Sequence, residues 1–245
     1  MKWISHRGES FDAPENTCEA FELSNTRQTE GMECDIRFTA DNILVVNHDY
    51  NTLRTTGVDC EIAKSTFADL QKLDASNNKE SYRDVRIPRF ADTLKYLGNR
   101  EYYVEVKVDD EEILHAMVRE LDAAGIKPEQ VTMISFHANM VKRFKELYPE
   151  RKSLFLISFQ TSQDGTWTPT AEQLIAQLTE LKADGVDIHC NPNFLTAEYV
   201  QKVHDAGFEF AVWTVDDPNL AKACMDWKVD AVTSNRAAYL RKKLD

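Results

Sequence analysis

Cysteine is scarce in this sequence and shows no paired spacing. The chain of 245 residues carries five cysteines, Cys18, Cys34, Cys60, Cys190 and Cys224. They are widely separated and contain no C-x-x-C pair, so neither a zinc ribbon nor a disulfide framework is indicated. We therefore expect reduced, mostly buried thiols, as is usual in a reducing compartment.

Long apolar runs are missing as well. No stretch approaches the roughly 20 apolar residues that a membrane-spanning helix needs. The first residues also lack the charged segment and following apolar stretch of a signal peptide. We therefore expect a cytoplasmic protein with no stable membrane anchor.

Positive charge is the smaller part of the charge balance. The chain has 29 Lys and Arg residues against 41 Asp and Glu residues, which gives a net charge of −12. An acidic surface repels nucleic acid and anionic membranes at long range, so we predict no nucleic-acid partner. An anionic substrate would then need a local positive site, made by Arg and Lys or by a metal ion on clustered carboxylates. The sequence does not determine the oligomeric state.

Strand-like and helix-like segments alternate along the chain. Eight apolar or β-branched runs predict strands at residues 2–5, 32–38, 102–108, 131–136, 153–157, 186–190, 209–215 and 231–234. Amphipathic patterns predict helices at residues 15–29, 111–124, 140–148, 171–182, 197–206 and 219–227.

This alternation determines the predicted fold class. Repeated βα units imply parallel strands joined by right-handed crossovers. Eight such units favour an α/β protein with a closed (β/α)₈ TIM barrel, and an open doubly wound sheet is the alternative. No linker or low-complexity tract divides the chain, so we predict that residues 1–245 form a single barrel.

One region departs from the alternation. Residues 43–47 predict a short extra strand that pairs with the end of the second strand. The following residues, 50–87, are polar and irregular, with one weak helical pattern near residues 67–73. We interpret this region as a cap inserted in a βα loop on the active-site face of the barrel.

Acidic residues recur at a spacing of two in the predicted strands. Glu33 and Asp35 share one strand face, and Glu105 and Lys107 repeat the arrangement on the next barrel strand. Internal ion pairs would explain either pair alone. Three carboxylates near the ends of adjacent strands instead predict a site for one divalent cation, Mg²⁺ or Ca²⁺.

Histidines and basic residues flank this acidic cluster in the sequence. His6 and His48 each end a predicted strand, where a structural role is the alternative to proton transfer. Arg7 offers a bidentate fork for phosphate, and Lys107 offers a point charge. Gly8 would let the backbone approach a ligand.

The stretch Pro14-Glu15-Asn16-Thr17 predicts the start of the first helix, with a glutamate in its first turn. From this position Asn16 would reach back to brace the site.

The order of these motifs resembles the glycerophosphodiester phosphodiesterase family. The matching motifs are His6-Arg7-Gly8, Pro14-Glu15-Asn16-Thr17, Glu33-x-Asp35, His48-Asp49 and Glu105-Val106-Lys107. Later segments around Trp213 and Asp230 extend the resemblance over essentially the whole chain. Each motif is weak by itself, but the ordered set is specific.

The resemblance implies a (β/α)₈ barrel that hydrolyses glycerophosphodiesters to sn-glycerol 3-phosphate and an alcohol. It implies one divalent cation bound by Glu33, Asp35 and Glu105. It also implies His6 and His48 as the acid–base pair, and we expect His48 to be the base. Arg7 and Lys107 would then bind the phosphate.

Two further expectations follow from the resemblance. Trp213 is expected to form an aromatic wall of the substrate pocket, and a packed barrel residue is the alternative. The segment Ser234-Asn235-Arg236-Ala237 departs from the Asp-Arg-Pro pattern common in the family. We expect this departure to loosen the last helix without affecting a catalytic role.

Two other functions remain as alternatives. One is phospholipase D-like cleavage of intact lipids on a similar barrel. The other is a barrel that binds phosphodiesters without hydrolysing them, although such a protein should have lost a histidine or a carboxylate.

Overall fold

The structure is a computed structural model that describes residues 1–76 and 79–244. Residues 77 and 78 of the predicted cap, and residue 245 of the predicted barrel, lie outside the described residues. The strands are β1 (Lys2–Ser5), β2 (Gly31–Phe38), β3 (Leu44–Val46), β4 (Glu101–Val106), β5 (Val131–Ser135), β6 (Lys152–Ile157), β7 (Gln160–Thr161), β8 (Trp167–Thr168), β9 (Gly185–His189), β10 (Glu209–Trp213) and β11 (Ala231–Ser234).

Helices lie between most of these strands. They are α1 (Cys18–Thr26), α2 (Leu53–Thr56), α3 (Phe67–Leu70), α4 (Phe90–Thr93), α5 (Glu111–Ala123), α6 (Ala138–Leu147), α7 (Ala171–Leu181), α8 (Ala197–Asp205), α9 (Pro218–Asp226) and α10 (Ala237–Leu244). Short 3₁₀ turns occupy Ile62–Lys64, Leu94–Tyr96 and Pro128–Gln130.

Eight parallel strands close into a barrel. Around it the strands follow the order β1, β2, β4, β5, β6, β9, β10 and β11, and β11 pairs with β1. This closure confirms the predicted (β/α)₈ barrel, and the open sheet is wrong because β1 and β2 pair directly. β3 pairs antiparallel with the end of β2, where the extra strand was predicted.

Side chains on the barrel strands alternate between the interior and the helices. A small cluster fills the interior and consists of Ile4, Tyr103, Ile134, Leu154, Leu156, Ala211 and Ala231. The outward residues pack with the helices in a much larger apolar cluster, to which Cys34 belongs. Since parallel strands place their carboxyl ends on one face, the polar residues at those ends meet there.

The first helix starts later than predicted. It begins at Cys18 and not at Glu15, and the side chain of Thr17 accepts a hydrogen bond from the backbone N–H of Ala20 at 3.3 Å. Asn16 has a φ of 58°, which is incompatible with a helical turn. Residues 14–16 are therefore a loop that leads into the helix cap.

Residues 50–87 contain α2, α3 and the turn Ile62–Lys64. They form a small apolar cluster of their own with β3, which consists of Val45, Ile62, Leu70, Ala75, Val85 and Ile87. The weak helical pattern near residues 67–73 corresponds to the single turn of α3. Because β3 belongs to both the barrel sheet and this cluster, the segment is attached beside the carboxyl end of β2.

Some elements were not predicted from the sequence. The hairpin of β7 and β8 has two residues in each strand, too few to show an alternating pattern. Among the described residues, no helix has the length and apolar character needed to cross a membrane.

Candidate active site

An acidic cluster lies on the inner face of β2 and β4. Asp35 pairs directly with Glu105 in the parallel register, and Glu33 lies two residues before Asp35 on the same strand. Oxygen atoms of all three carboxylates lie within 4.8 Å of one another. The three side chains are buried, with residue exposures of 2% for Glu33, 0% for Asp35 and 8% for Glu105.

Asp35 is the best-neutralised member of the cluster. Its Oδ2 accepts a hydrogen bond from Nδ2 of Asn16 at 2.7 Å and lies 3.3 Å from Nε of Arg7. Its Oδ1 lies 3.5 Å from Nζ of Lys107. Burial opposes its ionisation, but Arg7 and Lys107 outweigh burial and hold the pKa of Asp35 well below its usual range. Asn16 thus braces the site, as the sequence predicted.

The other two carboxylates are poorly neutralised. Burial and the charge of Asp35 raise the pKa of Glu33 well above its usual value. The same two causes raise the pKa of Glu105 to about 7. The cluster therefore holds more negative charge than its basic neighbours stabilise.

The cluster fits a divalent cation. Oδ1 of Asp35 is buried and has no hydrogen-bond partner among the described residues. It lies beside two carboxylates whose ionisation is disfavoured, and a cation with oxygen ligands would relieve both conditions. Mg²⁺ and Ca²⁺ both take such ligands.

His6 follows β1 and is fixed by a residue near the end of the chain. Its Nδ1 lies 2.7 Å from Oδ1 of Asn235, whose Nδ2 donates to a carboxylate oxygen of Asp216 at 2.5 Å. Because Asp216 accepts from the amide nitrogen, the amide oxygen of Asn235 faces the ring. Nδ1 of His6 therefore carries the proton, and Nε2, 4.0 Å from Glu33, has no hydrogen-bond partner among the described residues.

This contact corrects one expectation. The segment that contains Asn235 was expected to have no catalytic consequence, yet Asn235 orients a predicted catalytic histidine. Chain separation hid the contact, since the two positions are 229 residues apart in the sequence. Burial and the charge of Arg7 lower the pKa of His6 to about 4, so the ring is neutral at pH 7.

His48 lies just beyond β3 and has a charged partner. Its Nδ1 lies 2.7 Å from Oδ1 of Asp49, and Nε of Arg54 donates to Oδ2 of the same carboxylate at 2.7 Å. Arg37 donates to the backbone oxygen of His48 at 3.1 and 2.8 Å. Burial lowers the pKa of His48, while Asp49 acts in the opposite direction. The two histidines thus differ in the charge of the group behind the ring.

Arg7 lies between the acidic cluster and Glu15. Its backbone N–H donates to Glu33 at 2.9 Å, and its Nη1 donates to Glu15 at 2.8 Å. Glu15 was predicted in the first turn of a helix, but its carboxylate bridges Arg7 and Arg54 instead. This bridge connects the barrel site to the segment that holds Asp49.

Gly8 has a structural role that differs from the expected one. Its φ is +76°, and a Cβ at this position would lie 2.5 Å from the backbone carbon of Ala20. The missing side chain therefore permits close packing of the loop against α1, and not close approach to a ligand.

Seven of the eight predicted residues line one cavity of about 370 Å³, and the fully buried Asp35 is not among the lining residues. Its polar half comes from β1, β2, β4 and the segment after β3, and consists of His6, Arg7, Glu33, His48, Glu105 and Lys107. Its other half comes from β5, β6, β9, β10 and β11 and is lined by Ile134, Phe136, Leu156, Asp187, Trp213, Thr214 and Thr233. Lys107 donates to Glu105 at 2.7 Å.

Trp213 lines the cavity and also packs against the barrel interior. Its ring centroid lies 5.6 Å from that of Phe136 and 5.3 Å from that of His189, each in an edge-to-face arrangement. Its Nε1 donates to the backbone oxygen of Asp187 at 3.1 Å. These contacts fix the indole at the cavity wall.

Sequence reasoning missed Asp187 and Thr233. Both line the cavity and are buried, and burial together with Glu105 raises the pKa of Asp187 to about 8. A sequence signal existed for Asp187, because it is the single acidic residue within the apolar stretch 186–190. Thr233 has no comparable signal, since threonine is common in strands.

A closed α/β barrel with acidic, basic and imidazole groups at the carboxyl ends of its strands is the architecture of a barrel enzyme. The sequence model of the glycerophosphoryl diester phosphodiesterase family matches residues 6–238. The chain belongs to this family, and it is a phosphoric diester hydrolase. The resemblance seen in the sequence motifs is confirmed.

Similar proteins support the same assignment. A glycerophosphodiester phosphodiesterase of Bacillus subtilis is 27% identical, with 95% of this chain and 82% of that protein covered. A phosphodiesterase of Oleispira antarctica, solved in complex with the product sn-glycerol-3-phosphate, is 26% identical. Its structure superimposes with a TM-score of 0.86 over 100% of this chain and 97% of that chain.

Proposed function

We propose that the protein hydrolyses glycerophosphodiesters to sn-glycerol 3-phosphate and an alcohol, with a divalent cation and two histidines. Family membership and the similarity to a phosphodiesterase solved with sn-glycerol-3-phosphate support the substrate class. The observation that carries the proposal is the convergence of two histidines, two basic side chains and an acidic cluster on one cavity.

Glu33, Asp35 and Glu105 would hold the cation. When bound, it would supply positive charge beside a phosphoryl oxygen and favour the ionised form of a hydroxyl group. Burial and Asp35 raise the pKa values of Glu33 and Glu105, and the positive charge of the cation would lower them again.

Arg7 and Lys107 would bind the phosphoryl oxygens. Lys107 is 11% exposed at the side chain and points its Nζ at Glu105 and Asp35. Arg7 is 16% exposed at the side chain and is held by Glu15 and Asp35. Because both basic side chains are positioned before a ligand arrives, they would stabilise developing negative charge with little reorganisation.

The surroundings of the two rings favour different roles. His6 has a neutral amide behind it and Arg7 nearby, so its free Nε2 suits proton acceptance from the nucleophile. His48 has a carboxylate behind it, and a carboxylate stabilises the protonated ring that donates to the leaving alcohol. This assignment is the reverse of the expectation from the sequence.

A product assay tests the proposal. The purified protein is treated with a chelator, and Mg²⁺ or Ca²⁺ is added back over a panel of glycerophosphodiesters that differ in headgroup. Release of sn-glycerol 3-phosphate with metal, and its loss after chelation, is the expected result. Vesicles of intact phospholipid form a second arm. Turnover of vesicles without turnover of glycerophosphodiesters would favour the lipase alternative, and no turnover of either would favour the binding barrel.

A further inference from the structure

The cavity contains a polar patch that the proposed chemistry does not use. Asp187 on β9 and Thr233 on β11 line it and are 1% and 2% exposed. Oδ1 of Asp187 and Oγ1 of Thr233 have no hydrogen-bond partner among the described residues. Because buried polar atoms in folded proteins nearly always have a partner, two orphaned atoms at one cavity indicate a ligand group.

The strand registers explain why the patch is open. Asp187 lies directly opposite Leu156 of β6 and Ala211 of β10, and neither residue has a polar side chain. Trp213 lies two residues after Ala211 on β10, the strand between β9 and β11. Its indole Nε1 donates to the backbone oxygen of Asp187. The patch is therefore part of one wall made by three adjacent strands, across the barrel from the acidic strands β2 and β4.

The chemistry of the patch selects a hydroxyl group as its occupant. A hydroxyl donates to a carboxylate or accepts from a carboxylic acid, so it pairs with Asp187 in either protonation state. It also pairs with the hydroxyl of Thr233 in either direction. A quaternary ammonium headgroup has no N–H to donate and would leave both orphaned oxygens without a hydrogen bond.

We propose that Asp187 and Thr233 form a hydroxyl-binding subsite that recognises an alcohol group of the phosphodiester substrate. This inference rests on the proposed function, since it specifies the substrate of the same cavity. The alcohol group belongs either to the glycerol moiety or to a polyol leaving group. Both sources present the same chemistry to the subsite.

The test compares substrates with and without the hydroxyl. The wild-type protein is assayed on glycerophosphocholine, on its analogue that lacks the terminal glycerol hydroxyl, and on glycerophosphoglycerol. We expect a preference of about 10- to 100-fold in kcat/KM for the substrate with the hydroxyl, because the analogue leaves the buried groups unpaired. A lower kcat/KM on the analogue than on glycerophosphocholine would show that the subsite binds the glycerol moiety. A higher kcat/KM on glycerophosphoglycerol, with no difference between the other two substrates, would show that it binds the leaving group.

Variants then connect the preference to the subsite. Asp187→Leu and Thr233→Val should each reduce it to a few-fold, whereas Asp187→Asn should retain most of it because an amide still pairs with a hydroxyl. Thr132→Val is the matched control, since Thr132 is a buried threonine on β5 that does not line the cavity. Thermal unfolding of each variant checks that it is folded.

The outcomes separate this inference from the proposed function. A wild-type protein that hydrolyses no glycerophosphodiester would overturn the proposed function. A wild-type protein that is active without any hydroxyl preference, or folded Thr233→Val and Asp187→Leu variants that keep the full preference, would overturn the subsite alone.

Discussion

Oδ1 of Asn235 lies 2.7 Å from Nδ1 of His6 and fixes which ring nitrogen carries the proton. The counterpart at His48 is the carboxylate of Asp49, at the same distance. One ring is thus supported by a neutral amide and the other by a charge. The two rings should therefore differ in catalytic role and in titration.

His6→Ala and His48→Ala should each lower kcat on glycerophosphocholine by at least about 100-fold, as expected for loss of a general base or acid. A substrate with a 4-nitrophenolate leaving group needs no acid. With this substrate, kcat of His48→Ala should therefore recover at least about 10-fold more than kcat of His6→Ala. Steady-state kinetics on both substrates measure this. Selective restoration of His6→Ala would instead assign His48 as the base, as the sequence suggested.

The paired exchange of Asn235→Asp with Asp216→Asn should move the acidic limb of the pH–rate profile. The exchange keeps an amide facing a carboxylate, whereas Asn235→Asp alone would place two carboxylates in contact. Burial and Arg7 lower the pKa of His6 to about 4, and a carboxylate directly behind the ring would raise it. A base must be neutral, so kcat/KM should begin to fall at a higher pH in the exchanged variant than in the wild type. Asp216→Asn alone keeps the amide of Asn235 behind the ring and is the matched control. Identical profiles for the exchanged variant and the wild type would exclude a contribution of residue 235 to the titration of His6.

Removal of one carboxylate should weaken cation binding. A cation that binds only the folded protein adds about 2.7 kcal/mol of stability at 100 times its dissociation constant. The melting temperature of the wild type should therefore rise with added Mg²⁺ or Ca²⁺, and Glu33→Gln should need a higher concentration for the same rise. Glu198→Gln makes the same change at an exposed site and serves as control. An unchanged metal response in Glu33→Gln would remove Glu33 from the ligand set.

Asp187→Asn should stabilise the metal-free protein more at pH 8 than at pH 5. The folded-state pKa of Asp187 is about 8, whereas the pKa of an aspartate in an unfolded chain is about 3.9. Between these values the unfolded chain has lost a proton that the folded protein keeps, so the free energy of unfolding falls as pH rises. The variant lacks this dependence, and the expected gain at pH 8 is on the order of 2 kcal/mol.

Urea unfolding in the presence of a chelator at both pH values measures this gain. Asp205→Asn, at an exposed position on α8, controls for the removal of one negative charge. An equal effect of Asp187→Asn at both pH values would contradict the raised pKa.

Gly8→Ala should destabilise the fold by on the order of 3 kcal/mol, because a side chain there meets Ala20 and the backbone has a positive φ. Gly207→Ala is the matched control. Its φ of +89° carries the conformational cost, but no atom lies within 4 Å of the added Cβ. It should cost about 1 kcal/mol. Equal losses in the two variants, measured by urea unfolding, would mean that packing against Ala20 contributes nothing.

Local sequence patterns predicted most of the fold. All eight barrel strands were recognised, because buried parallel strands are short apolar stretches separated by helices. The first and last residues of the elements were less well predicted, and the predicted start of the first helix at residue 15 was wrong. There the backbone of Asn16 turns to bring its amide to Asp35, a tertiary contact that outweighs the local tendency toward a helix.

The sequence by itself determined the barrel and the residues that meet at its mouth. The period of two placed Glu33 with Asp35, and the strand order placed Glu105 beside them. Only the tertiary structure decided what lies behind those residues. Contacts between distant parts of the chain place Asn235 behind His6 and Glu15 between two arginines. They also leave Oδ1 of Asp187 without a hydrogen-bond partner in the described part of the chain. Such contacts follow from barrel closure and loop packing, which no local periodicity encodes.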